Sequence, residues 1–517
     1  MIELKADSKS ESAEIIYDEY GYTPTLPPDF EIGIPEKLRL SALIVIVVEL
    51  CERFAYYGAA VMFTTYMQEK LGVQKDHSVS INQGFNFIGY AFTLLGGYLS
   101  DQYLGKYKTI VIFSTWYFLG TSLLTVSTIS SLPQHTSFIL FILSIYVFIG
   151  IGSSGLKSSI TTFAAEQVRV GYKPTGKPGE YYDSKLTVQK CYRYFYWAIN
   201  VGALFSMIVS PAVSTRTYVG AYGISAGFMA LYLTLFVSSY KIFIHKNPSG
   251  SIFKKVYACF KYARQHKSPE NENWLDASKG VVDQDWDDKF VEGLQRAIKA
   301  SKVFLFYPFF YALYGNMSDN FINQGLQMKR PSWIQSSQLN AIHCLVVIVF
   351  IPVLDVFFFP VMARFNISMG PIKRILIGFI ILVLTFIYVT VLQKFIYNTP
   401  PYYDFTGPDI TVGSHNDISI WWQLPVYITI SFAEIFASVT GIEYAFSQAP
   451  PELKSFLQAL FLFTSGCGSI LSMVLSLWSY DPAVMYSFAA QTVIMTIITV
   501  IFWLSFKKYD SQIRDQE

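Results

Sequence analysis

The chain has 517 residues, 52% hydrophobic and 17% aromatic, with 15% charged and a formal net charge of +2. Soluble domains carry about a quarter charged residues, so this composition points to a bilayer protein and gives no basic surface for nucleic acid. Its cysteines, Cys51, Cys191, Cys259, Cys344 and Cys467, lack the spacing of a metal site or a disulfide framework.

Residues 1–38 hold nine acidic residues and no apolar run of the signal-peptide kind, and read as a disordered cytosolic tail. Beyond them, the requirement of roughly 20 apolar residues per span gives twelve candidates, spans 1 to 12 below. They lie at about 40–67, 81–100, 108–129, 136–166, 191–213, 219–245, 302–328, 335–362, 372–393, 419–447, 454–478 and 482–506. A polar stretch over 246–301 divides them six and six. The expected parts are a tail at 1–38, a six-helix bundle over 39–245, a cytosolic linker, a second bundle over 302–506 and a tail at 507–517. Of the 39 Lys and Arg residues, 31 then fall on the side of the termini and six on the other, with Arg53 and Lys157 in the membrane. Cytosolic termini follow from that asymmetry. An all-α integral membrane protein of the major-facilitator fold, twelve helices in two bundles, fits this layout, and places substrate between the halves near the midplane.

In span 1, ELCERFAYYG puts Glu49, Glu52 and Arg53 inside an apolar run. At 100° per residue these three, with Tyr56 and Tyr57, fall within an arc of roughly 140°. A buried ion pair that only joins helices is the plain alternative, but three charges cost at least ~2.5 kcal/mol each at the bilayer centre, so function is the default hypothesis. Lys157 of span 4 is the natural partner: Glu49 lies about 6 Å and Lys157 about 9 Å to the inner side of the midplane at 1.5 Å per residue. Protonating one glutamate would free a cation for an incoming carboxylate, which couples a proton to an anionic substrate group. The surrounding GIGSSGLKSS is not a phosphate loop, because Leu156 separates Gly155 from Lys157; Gly150, Gly152 and Gly155 instead permit close helix packing.

These motifs carry a family resemblance. ELCERFAYYG resembles the ExxER motif of the proton-dependent oligopeptide transporters, most closely their fungal members. GGYLSDQYLGKYKTI, GIGSSGLKSSITTFAAEQ, FYWAIN, FINQGLQM and AEIFASVTGIEYAFSQAPPELKS are similar to further family signatures in the right order, so the resemblance runs from about residue 40 to 475. It implies a proton-coupled importer of di- and tripeptides working by alternating access. Glu49, Glu52, Arg53 and Lys157 would form the proton-coupling cluster, with Arg53 and Lys157 attracting the peptide carboxylate. Tyr56, Tyr57, Tyr90, Asn200 and Asn340 would line the site, and Glu434 would receive the peptide's amino terminus. Protons are the only coupling partner expected, with no cofactor, and a plasma-membrane location is expected. Ala60, Gln83, Gly315 with Asn316, and Phe461 depart from the family pattern and put in doubt a gating salt bridge between spans 1 and 7 and a histidine role in coupling.

Other positions support weaker readings. Glu443 is structural or a gate, Asp355 anchors a loop or gates, and Asp101 with Lys106 and Lys108 braces an inner loop. His343, the one histidine inside a span, reads as packing or a polar bridge. The alternatives are a same-fold carrier of nitrate or another small solute, against which Glu434 argues, and a nutrient receptor that does not transport. Nothing here reads as an enzyme, and oligomeric state is not encoded in these patterns.

Overall fold

The computed structural model describes residues 18–248, 250, 252–266, 273–281, 285–354, 357, 361, 370–406, 414–448 and 453–507. Asp355 lies outside them. Among the described residues nine helices are long and apolar enough to cross a membrane, and they coincide with predicted spans 3 to 6 and 8 to 12. Spans 1, 2 and 7 are helical as well but depart from that standard for physical reasons. Span 1, Leu40–Ala60 continued by Phe63–Glu69, carries the three charges. Span 2, Lys75–Leu99, is rich in polar side chains along its first half. Span 7 is broken: Tyr307–Tyr314 gives way to a 3-10 turn over Gly315–Ser318 before Asn320–Leu326 resumes.

Two large apolar cores form among the described residues, with a small third cluster of Val347, Leu354, Ile435 and Phe436. One runs from Leu38 to Phe243 and takes in Ala341 and Cys344 of span 8; the other runs from Val256 to Phe506. The stretch between the halves is not an extended tether. Ile252–Gln265 and Asp288–Ser301 are amphipathic helices, and Val256, Cys259, Phe290 and Leu294 bury themselves in the second core.

The acidic N-terminal segment departs from its reading as a disordered tail. Residues 1–17 lie outside the description, but 18–38 are ordered. A three-stranded sheet joins β1 (Ile32–Ile34), β2 (Tyr172–Pro174) and β3 (Glu180–Asp183) in the order β1-β3-β2, with β1 parallel to β3. Tyr22 donates to Glu36 Oε2 at 2.5 Å, Tyr181 donates to Asp29 Oδ1 at 2.6 Å and the Glu36 amide donates to Thr187 Oγ1 at 2.9 Å. The segment satisfies its backbone by pairing with the loop between spans 4 and 5, which composition does not reveal.

Glycines set how closely the first bundle packs. A Cβ on Gly155 would lie 2.3 Å from the Phe113 ring, one on Gly96 2.6 Å from Gly155 Cα, and one on Gly202 2.6 Å from the Leu50 carbonyl. Spans 2, 3 and 4 therefore meet where only glycine fits, just above Lys157. Gly155→Val is expected to overpack this seam and cost about 1–3 kcal/mol. Gly227→Ala, where nothing lies within 4 Å, serves as the neutral control. Thermal unfolding of the two purified variants checks this, and equal midpoints would refute it.

Candidate substrate and proton site

Span 1 presents its charges as a single unit. Arg53 Nε lies 3.0 Å from Glu49 Oε1, and the other edge of the guanidinium pairs with Glu52. All three side chains are buried, Glu52 completely. Among the described residues no group donates a hydrogen bond to Oε2 of Glu49 or to either oxygen of Glu52, so the charge of Arg53 is their main compensation. The phenols of Tyr117 and Tyr232, fully buried and lacking a hydrogen-bond partner, stand within electrostatic reach of this cluster. Nothing in the residue pattern singles out these two among 36 tyrosines.

Lys157 joins the cluster differently from the expected exchange of ion pairs. No carboxylate comes within 4.0 Å of its ammonium among the described residues. The ammonium lies 4.0 Å from the centre of the Tyr56 ring and 5.7 Å from that of Tyr90, as a cation over aromatic faces. It remains within electrostatic reach of Glu49 and Glu52. Tyr56 also lies 5.6 Å from the Arg53 guanidinium and packs edge-on to Tyr57. The stripe read on span 1 thus holds, with Tyr56 inserted between the two cations.

Glu434 ends the first segment of span 10, and the helix widens into a π turn over Ile435–Val439 directly after it. A second π turn, Ser144–Gly150, precedes Lys157 in span 4. Such turns interrupt the regular ladder and are frequent at functional sites. Glu434 does not stand alone: His343 Nε2 lies 2.6 Å from its Oε2 and 3.2 Å from the Tyr314 hydroxyl. That resolves His343 as a polar bridge, with a partner 91 residues away that the sequence did not suggest. Tyr57 and Tyr90 lie within electrostatic reach of both Arg53 and Glu434. Asn200 and Asn340 turn an amide N–H to their own helices, donating to Tyr196 O at 2.9 Å and Ser337 O at 3.1 Å.

Lys157 lines a cavity of about 1020 Å³ that opens on the linker face, bounded by spans 2, 4, 5 and 11 and by Lys254 and Lys255 of the linker. On the opposite face the halves are closed against each other. Gln68 donates to Asn323 at 2.8 Å, Gln83 to Asp319 at 2.6 Å, Ser80 meets Ser476 at 2.5 Å, and Lys75 pairs with Asp481. Ser318 O and Gly315 O, freed by the break in span 7, accept from Thr64 and Gln83 at 3.3 Å each. No ion pair joins spans 1 and 7 among the described residues, in keeping with the departures at Ala60 and Gly315. Asn316 instead donates to Gln491 of span 12, and Phe461 packs on Tyr307. Asp319, an acid inside a span, was the available signal for this seam. On the linker face Lys106 pairs with Glu166 at 2.5 Å, and Glu443 with Arg374 at 3.4 Å, within each half.

The profile of the POT family matches residues 107–494. The probable peptide transporter ptr2 of Schizosaccharomyces pombe is 36% identical over 493 residues, covering 92% of this chain and 79% of the relative. The peptide transporter PTR2 of Saccharomyces cerevisiae is 31% identical, covering 92% and 80%. The crystal structure of the POT family transporter PepTSo superposes with a TM-score of 0.76 at 21% identity, over 92% of this chain and 100% of that one, which speaks to the fold. The profile match and the two fungal relatives together make the assignment: the chain belongs to the POT family.

Proposed function

We propose that this protein is a proton-coupled symporter that brings di- and tripeptides into the cytosol by alternating access. One observation supports the reading: Tyr57 and Tyr90 lie within electrostatic reach of both Arg53 in the first half and Glu434 in the second, and Arg53 shares the Tyr56 ring with Lys157. A peptide is an anion at one end and a cation at the other, so two centres of opposite sign recognise what all peptides share. The phenols accept varied side chains loosely. Arg53 and Lys157 hold the carboxylate, Glu434 the amino terminus, and Glu49 and Glu52 carry the proton. The linker face is the cytosolic face, both termini lie there, and the closed seam faces outward, so the conformation is inward-open. The membrane is the plasma membrane.

The driving force suffices. One proton supplies about 2.3 kcal/mol per 100 mV and about 1.36 kcal/mol per pH unit. Together these sustain a gradient of several hundredfold for a neutral peptide.

The test is uptake of a labelled dipeptide into proteoliposomes under an inward proton gradient, with Glu52→Gln and Glu434→Gln beside the wild type. Wild-type accumulation lost in both variants is the expected result. A wild type that moves no dipeptide, or a Glu434→Gln variant that imports nitrate as well as the wild type does, would assign the protein to small anions instead.

A further inference from the structure

His343 has no part in the transport scheme above, yet it occupies the second charge centre. A ring nitrogen 2.6 Å from a carboxylate oxygen holds a proton between them, so His343 Nε2 donates to Glu434 Oε2. The His343 side chain is 10% exposed and that of Glu434 26%, so the carboxylate keeps an open side while the imidazole closes the other. We infer that His343 is an internal competitor for the amino-terminus subsite: it holds Glu434 in the empty carrier, and a peptide ammonium binds by taking the carboxylate from it.

This rests on the peptide reading of Glu434 and extends it. The other titratable groups facing the carboxylate are neutral phenols: Tyr57 from span 1, Tyr90 from span 2, Tyr196 from span 5, and Tyr311 and Tyr314 from span 7. The Cys344 thiol lies beside the imidazole on span 8. Among the described residues His343 is the one basic side chain within 4.0 Å of Glu434. Arg53 reaches Tyr57 and Tyr90 from the first half. An ammonium that arrives at Glu434 therefore meets a single rival cation, and two like charges on one carboxylate repel. The ring has a place to go, since Tyr314 already offers its hydroxyl at 3.2 Å. Such a competitor keeps a carboxylate from standing unpaired in the empty site, and it discriminates against ligands that lack a charged amine strong enough to displace it.

The experiment measures binding of a dipeptide and of its N-acetylated counterpart to the purified full-length protein at about pH 6, where the peptide amine is charged. The acetylated peptide has no ammonium, so the ratio of the two affinities isolates the Glu434 subsite from the carboxylate end. In His343→Gln and His343→Asn, which remove the charge and keep a polar side chain, the ratio is expected to rise about tenfold in favour of the free amine. In His343→Lys, a fixed rival cation, it falls below the wild-type ratio. A histidine that only holds the helices together would change both affinities equally, and ratios within twofold of wild type across the three variants would overturn the inference. If the wild type itself binds neither peptide, the peptide reading falls, and the inference falls with it.

Discussion

Arg53→Met is expected to lose proton-driven dipeptide accumulation, to about a hundredth of wild type or less. Arg53 is wedged between Glu49 and Glu52, and among the described residues three of the four carboxylate oxygens have no hydrogen bond from any other group. Removing one member of a buried pair leaves an uncompensated charge worth about 3–5 kcal/mol, which is a hundredfold or more in any equilibrium that needs that charge. Without the guanidinium the two carboxyl groups lose the charge they share one helical turn apart in a dry environment, and with it the partner that a peptide carboxylate would exchange with. The variant then loses both the link between proton and peptide and one of the two cations meant for the carboxylate. Glu52→Gln separates these effects. It keeps the cation and is expected to exchange peptide across the membrane in counterflow while failing to accumulate it. Arg53→Lys keeps a charge but not the planar fork that reaches two glutamates at once, and is expected to retain part of the activity. Accumulation by Arg53→Met at more than a tenth of the wild-type level would show that the cluster is structural.

The charges of the site were legible because a bilayer makes them conspicuous. Glu49, Glu52, Arg53, Lys157 and Glu434 stand in apolar runs where each needs a reason. What escaped the sequence is the set of neutral or distant partners. Gln83 reads as a mere departure from a histidine, yet it bridges the halves to Asp319. His343 is a lone histidine until the fold brings span 10 beside it. Lys157 matched the glutamates in depth, but depth along a helix says nothing of the ring that comes between, and Tyr56 fills that place. The break in span 7 was signalled by Gly315 and by Asp319, which caps the second segment by accepting from the Asn320 amide at 2.5 Å. The docked strand at Ile32–Ile34 is held by backbone pairing, to which composition is blind.

Lys75→Met is expected to shift the resting carrier toward its other, outward-open conformation by about five- to thirtyfold. The argument rests on what Asp481 touches. Within the second half it accepts from Tyr397 at 2.5 Å and from Gln327 at 2.8 Å, contacts that travel with it when the halves separate. Lys75, at the start of span 2, is its partner from the first half, so this bond must break for the outer seam to open. Its side chain is 27% exposed and that of Asp481 2%, so the pair is partly screened on the lysine side and dry on the other. A charge-assisted bond of that kind is worth about 1–2 kcal/mol, hence the fold-change. The other seam contacts, Gln68 with Asn323, Ser80 with Ser476 and Gln83 with Asp319 among them, contain no second ion pair among the described residues and keep the shift from being complete. Asp481→Asn tests the same bond from the other side, but it also weakens the contacts with Tyr397 and Gln327, so its effect on thermal stability should exceed that of Lys75→Met. Spin labels at Arg216 and Trp333, exposed loop positions in the first and second halves, would report the separation as a distance distribution. A longer-distance population that grows in Lys75→Met assigns the pair to the gate. Distributions identical to wild type would mean that the other contacts alone hold the seam. In that event the reason a carrier buries Asp481 under three donors would lie in folding of the second half, and Asp481→Asn would lower the unfolding temperature without changing the distance.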